Sequence, residues 1–321
     1  MPITIQFATN RILTGSAEKL ESYGNGIVPP TSLGQVTYGT AFVNQVDLTA
    51  DTVGAITSIE NIHSGGFSAS AIGDLAHAGR NLLVFIHGFD NSFENAITRA
   101  AFNREWLAQS GVPEADTSVI AFSWPSEGRL LDIVLDAPYR SDQVAAQQSA
   151  LALMNFLANL EPIVSAARRD RRRVFLLVHS MGHLALEAAV ESWFTHGNGD
   201  GRLFDEAFLA AGDEEYDSFD FPRLGRLSGL DRLTNRITVL FSEADAVLRV
   251  SAGLNGIRRL GQSGPHARFD TERFPPSRYE FMDCSGSRDF TFGFASSHQY
   301  YRRSPSVRTQ IAAAMGRPAM A

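Results

Sequence analysis

What most constrains this chain is a recurrence of short, continuous apolar runs between longer stretches of helical periodicity. The runs are Leu82–Ile86, Ser118–Phe122, Val174–Val178, Ala207–Ala210, Ile237–Phe241 and Tyr279–Met282. Each is too short for a buried helix, and most are unbroken instead of alternating with polar residues. Strands covered on both faces of a parallel sheet read this way, because neither face meets water. Between them, Asn91 and Ser92 can cap a helix carrying Phe93, Ile97 and Ala101 on one face, with Gly111 placed to end it. Ser141 or Asp142 can open a second helix through Leu151, Phe156 and Leu160. A third follows Ser180 through Leu184, Leu186 and Ala189. Strand, helix, strand repeated in this way implies crossover units. The expected class is therefore α/β, a mostly parallel central sheet with helices on both faces.

The first eighty residues differ. Ile3–Ala8 and Gln35–Val46 read as strands with no helix between them, an antiparallel start to the sheet, and the Gly-, Ser- and Pro-rich stretch Gly15–Gly34 reads as surface loop. No repeat or flexible linker divides the 321 residues, so residues 1–321 are expected to be one domain: N-terminal strands and loops over 1–80, a catalytic core over 81–321. A net charge of −7 argues against a nucleic-acid coat, which needs clustered cations. The run Arg168–Arg173 precedes an apolar strand and reads as a solvated helix end and turn. Cys284 is the only cysteine, so no intrachain disulfide can form. With no signal-peptide pattern at the start and no apolar stretch read as long enough to span a bilayer, a cytoplasmic location is the expectation.

Chemistry concentrates where the run Val174–Val178 enters His179-Ser180-Met181-Gly182 and then a helix. A serine at a sharp strand-to-helix turn has its hydroxyl exposed above the sheet, and the close passage of strand and helix demands small neighbours. Gly182 and Ala185 supply them on the helix side; Val178 stands where the G-x-S-x-G pattern has its first glycine. Ser180 is the candidate nucleophile, and the Met181 N–H at the helix start is a candidate oxyanion donor. A second donor is expected from the loop after an earlier strand. In Leu82–Asp90 a turn at Gly88 leaves the Phe89 N–H free for that role. The base should be a histidine after the last strand, which His298 satisfies better than His266 upstream of that strand. His87 and His179, at strand ends, read as structural. His179 and His183 lack the glutamate of a zinc-binding H-E-x-x-H, so no metal and no cofactor is expected. For the acid, Asp245 after the penultimate strand is preferred, with Asp213 and Glu243 as alternatives.

These segments, taken in order, resemble the DUF900 family of bacterial α/β-hydrolases, esterase- and lipase-like proteins of unknown function. The resemblance rests on Phe7-Ala-Thr-Asn-Arg11, Phe85-Ile-His-Gly-Phe89, Phe122-Ser-Trp-Pro-Ser126, His179-Ser-Met-Gly182, Ser242-Glu-Ala-Asp245 and His298-Gln-Tyr-Tyr301 followed by Pro305. It implies an α/β-hydrolase fold, a Ser180–His298–Asp245 triad and esterase-like activity. Asp90 departs from the family pattern by putting a carboxylate beside the oxyanion loop. The expected activity is a serine carboxylesterase acting on small-molecule esters with short to medium acyl chains. Amidase, thioesterase and acyltransferase chemistry use the same triad, and a non-catalytic binding protein of the same fold is a further alternative. The short gap after Ala211 leaves no room for a large lid domain. An open cleft is expected, walled by Trp124–Leu135, Asp213–Phe221 and Gly256–Pro276.

Overall fold

A computed structural model describes residues 2–77, 81–112, 117–126, 136–220, 227–287 and 296–317. Its strands are β1 (Ile3–Thr9), β2 (Thr37–Asn44), β3 (Ala55–Ser64), β4 (Asn81–Ile86), β5 (Thr117–Ser123), β6 (Val174–His179), β7 (Phe204–Ala210), β8 (Thr234–Phe241) and β9 (Tyr279–Asp283). They form one sheet in the order β3-β2-β1-β5-β4-β6-β7-β8-β9. From β1 to β9 every pairing is parallel, whereas β2 runs antiparallel to both β1 and β3. The sheet thus has the expected mostly parallel body and antiparallel N-terminal edge.

The unbroken apolar runs have the predicted physical cause. In β4, Leu82, Val84 and Ile86 enter one core while Leu83 and Phe85 enter the other. Both sets are fully buried, as two-sided covering requires. The helices are α1 (Ala69–His77), α2 (Phe93–Gln109), α3 (Asp136–Gln148), α4 (Ala150–Arg169), α5 (Gly182–Thr195), α6 (Ala246–Asn255), α7 (Leu260–Ser263), α8 (Tyr300–Arg303) and α9 (Pro305–Met315). Residues of α1, α3, α4 and α5 cover the first face, and those of α2, α8 and α9 cover the second. Trp106, Trp124 and Trp193 are fully buried, and each indole N–H finds an acceptor: Asn103 Oδ1, the His87 carbonyl and the Gly199 carbonyl.

Local signals hold in α2, where the Ser92 side chain accepts from the Asn95 N–H and Gly111 follows with φ +99°. Elsewhere the structure departs from expectation. The helix expected to open at Ser141 or Asp142 starts at Asp136 and is broken at Ser149. There the hydroxyl donates back to the Ala145 carbonyl and accepts from Asn10 Nδ2, and the Ser149 N–H is shared between the Ala145 and Ala146 carbonyls. Strand β3 was not expected at all. The stretch 15–34 is not merely surface: Tyr23 is buried, its ring stacked on Phe93 at 3.7 Å.

Contrary to the expectation that no stretch is long enough, α4 has the length and mean hydropathy (1.4) of a membrane-crossing helix. Its apolar residues, including Phe156, Leu157 and Leu160, are instead packed in the core over the sheet. Of the run Arg168–Arg173, residues 168–171 end α4 exposed, as the solvated-turn reading requires, whereas Arg172 and Arg173 are half-buried and Arg173 Nη1 donates to the Met315 carbonyl at 2.8 Å. Between β7 and β8 there are only turns and a short 3-10 segment, Leu227–Arg232, among the described residues, and no large lid is evident.

Candidate active site

The strand β6 ends at His179, and the chain turns at Ser180 with φ 54°, a left-handed conformation that a non-glycine residue adopts only when its surroundings enforce it. The enforcing contacts are specific. The Ser180 N–H donates to the Ala210 carbonyl at 3.1 Å. The Ser180 carbonyl accepts from the N–H groups of His183 (3.1 Å) and Asp213 (3.2 Å) and from His183 Nδ1 (2.7 Å). The need for small neighbours falls on two glycines. A Cβ at Gly182 would lie 2.5 Å from the His87 carbonyl oxygen, and one at Gly88 would lie 2.5 Å from Ser180 Cβ. Val178 is no obstacle, because its side chain is buried in the sheet core. Gly88 serves by close approach and not by a positive φ; the left-handed residue of that loop is Asp90 (φ 59°).

The hydroxyl so presented lies 2.7 Å from His298 Nε2, and His298 Nδ1 lies 2.7 Å from Asp245 Oδ2. All three side chains are buried. Asp245 is also the N-cap of α6. Its Oδ1 accepts from the Val247 and Leu248 N–H groups at 3.0 Å each, leaving Oδ2 aimed at the imidazole. The histidine loop is tied to the sheet by Tyr300, whose hydroxyl donates to the Leu240 carbonyl at 2.8 Å and accepts from the Ala211 N–H at 3.1 Å. His179 Nε2 adds a donor to the His298 carbonyl at 3.0 Å.

The alternatives considered from sequence lie elsewhere. His266 is mostly exposed and faces Asp220 at 3.5 Å. Glu243 is exposed. Asp213 is buried but committed to Arg259, Ser251 and Tyr139, with Arg259 Nε at 2.9 Å. His179 and His183 direct their rings to backbone carbonyls instead of converging on a metal, and among the described residues no cluster suited to a metal ion occurs.

The Phe89 and Met181 N–H groups have no hydrogen-bond partner among the described residues, and Phe89 borders the cavity above Ser180. The loop carrying Phe89 is clamped from below. Asn91 Nδ2 donates to the Gly88 (2.9 Å) and Phe89 (2.8 Å) carbonyls, and the Asn91 carbonyl accepts from Arg11 Nη2 at 2.6 Å. Burial pulls the Arg11 guanidinium down to about 9 despite the nearby Asp142 carboxylate. His87 donates through Nδ1 to the Gly88 carbonyl, accepts from the Trp124 N–H through Nε2 and stacks on the Trp124 ring. Burial, with Arg11 close by, holds His87 well below the usual histidine range. His179 is likewise lowered, by burial and then by His298. His183 is held at about 4, by burial first. These three rings are structural and neutral, as the sequence suggested for His87 and His179. The positioning roles of Arg11, Asn91 and Tyr300 were not deduced from sequence, although Arg11 and Tyr300 lie in the motifs quoted above.

The cavity over Ser180 measures about 150 Å³ and is bordered by Phe89, Arg99, His298, Arg302 and Arg303, among others. Of the three wall segments expected from sequence, only Asp213 and no residue of Gly256–Pro276 reaches it; residues 127–135 and Phe221 lie outside the described residues. The other walls come from the loop after β4 (Phe89, Asp90), from Arg99 of α2, Val247 of α6 and Arg302 and Arg303 of α8. A larger groove of about 760 Å³, beside α3 and α5, contains none of Ser180, His298 and Asp245.

The nine-stranded sheet, with a serine at the β6–α5 turn and a histidine and an aspartate after later strands, defines an α/β hydrolase. Within that class the chain belongs to the family described as alpha/beta hydrolase of unknown function (DUF900), whose profile matches residues 69–314. No curated protein matches the chain. Similar solved structures include TT1662 from Thermus thermophilus, with 15% identity over 74% of this chain and 88% of that one and a TM-score of 0.37. Aspergillus fumigatus lipase B shares 16% identity over 97% and 66%, with a TM-score of 0.39. A Pyrobaculum calidifontis esterase shares 11% over 87% and 80%, with a TM-score of 0.38.

Proposed function

We propose that this α/β hydrolase is a serine carboxylesterase acting on small esters with short acyl groups. The observation that carries the proposal is the unbroken hydrogen-bonded chain from Ser180 Oγ through His298 to Asp245, with both links at 2.7 Å. His298 Nε2 takes the Ser180 proton as Oγ attacks the ester carbonyl carbon. Asp245 holds the imidazole in the tautomer that can accept this proton and stabilises the imidazolium that forms. The Phe89 and Met181 N–H groups receive the developing oxyanion, each such donor contributing about 3 kcal/mol in the transition state. Collapse of the tetrahedral intermediate expels the alcohol, protonated by His298, and leaves an acyl group on Ser180. A water deprotonated by His298 then releases the acid. The cavity of about 150 Å³ is small beside the roughly 300–1,000 Å³ of pockets that enclose drug-sized ligands, which favours the short end of the acyl range.

The reading is tested by treating the wild-type protein and Ser180→Ala with a fluorophosphonate and measuring intact mass. A single adduct on the wild type, absent from the variant, is expected. An unlabelled, folded wild type refutes the mechanism.

A further inference from the structure

Three arginines border the cavity over Ser180, which is more cationic charge than the hydrolysis of a neutral ester requires. Arg302 donates to Asp51 Oδ1 at 2.7 Å and to Gln299 Oε1 at 2.9 Å, and Arg303 pairs with the same Asp51 carboxylate. Arg99, on α2, is different. Its side chain is largely enclosed by protein yet opens onto the cavity. Among the described residues no hydrogen bond or ion pair engages its guanidinium; the nearest carboxylate influence is Asp90, which has contacts of its own. Of the charged groups in and behind the cavity wall, Arg302 and Arg303 share Asp51, Arg259 pairs with Asp213, and the Asp245 carboxylate faces His298.

A partly buried guanidinium with no partner is costly unless a ligand completes its shell. We infer that Arg99 receives an anionic group of the substrate, making the preferred ester one that carries a carboxylate a few bonds from the carbonyl that Ser180 attacks. Burial and the neighbouring Arg302 and Arg303 hold Arg99 down at about 10, the behaviour of a cation in a locally positive field. A carboxylate matches both the charge of Arg99 and the bidentate fork of a guanidinium. A succinate half-ester, which carries an ester carbonyl and a carboxylate in one small molecule, is a probe of such a substrate. The inference rests on the esterase reading for the position of the scissile carbonyl, but not for the anion site itself.

The test compares methyl hydrogen succinate with its neutral isostere, methyl succinamate, by pH-stat kinetics, alongside fluorophosphonate labelling. Wild type is expected to favour the half-ester in kcat/KM by about 10- to 100-fold, the yield of one charge-assisted hydrogen-bonded contact. Arg99→Gln is expected to lose that preference ratio. Labelled wild type that hydrolyses both esters equally overturns the anion site and leaves the esterase intact. To separate the site from catalysis, calorimetry on Ser180→Ala measures binding of the same two esters. Tighter binding of the half-ester, lost in Ser180→Ala/Arg99→Gln, supports the site even if no turnover is found; equal binding overturns it.

Discussion

The two oxygens of Asp245 have separable duties, and this makes Asp245→Asn an informative substitution. Oδ1 accepts two backbone N–H groups at the start of α6, while Oδ2 accepts only from His298. In the asparagine variant the carbonyl oxygen stays with the two N–H groups, since asparagine caps a helix as well as aspartate does. The amide NH₂ is then forced toward His298 Nδ1. That nitrogen must become an acceptor, so the proton moves to Nε2, the atom 2.7 Å from Ser180 Oγ. An Nε2–H imidazole cannot take the hydroxyl proton. Holding the wrong tautomer lowers kcat by about 10⁴-fold, or about 5.5 kcal/mol of barrier. Stability should hardly change. Asp245→Ala removes both duties and leaves buried N–H groups unpaired, at about 2 kcal/mol, on the order of 4 °C in Tm. The assay is kcat on a soluble ester together with thermal unfolding of both variants. Asp245→Asn keeping more than a tenth of wild-type activity, or melting as low as Asp245→Ala, would refute this division of labour.

Gly182→Ala should drive a Cβ into the His87 carbonyl, 2.5 Å away, and overpacking of this kind costs about 1–3 kcal/mol. A lowered urea midpoint and slower fluorophosphonate labelling are expected; an unchanged midpoint excludes the proposed crowding. His183 gives a pH prediction. Its folded value of about 4 lies below the ordinary 6.5, so the unfolded chain binds the proton more readily. Its contribution is intact above pH 6.5 and fades as pH falls from 6.5 to 4, totalling about 3 kcal/mol. His179 and His87 act in the same direction. His183→Asn, which can keep a donor to the Ser180 carbonyl without titrating, should flatten the stability profile across that window. Parallel wild-type and variant profiles would count against it.

The parts of the fold legible in sequence were those whose cause is local or strongly patterned. Strands β4 to β8 announce themselves because two-sided burial leaves continuous apolar runs, and Ser180 because the strand-to-helix turn needs Gly182 beside it. Strand β3 was missed because it pairs only with β2, at the edge, and most of its residues are exposed or half-buried, so its sequence mixes polar and apolar residues without a clean period. The break at Ser149 carries no glycine or proline; the serine hydroxyl bonds back to the Ala145 carbonyl and its N–H is shared between the Ala145 and Ala146 carbonyls, which the helical pattern does not announce. The cationic lining was hidden for a similar reason. Arg99 sits beside Ile97 and Ala101 in a helix whose pattern says only that one face is buried. Arg302 and Arg303 follow the histidine motif in the chain, and only the fold brings them beside Ser180.

The chain order of the site also sets a clock. Ser180 and His298 are 118 residues apart, and the Tyr300 hydroxyl that fastens the histidine loop lies later still. At a synthesis rate of about 5–20 residues per second, roughly 6–24 s separate the emergence of the serine from that of its proton acceptor. Throughout that interval the growing chain holds an ordinary alcohol, with neither the imidazole to deprotonate it nor the loop that borders its cavity. On the proposed mechanism, reactivity toward electrophiles begins only when the C-terminal helices dock, and fluorophosphonate labelling of nascent or refolding protein is then expected to report the last folding step.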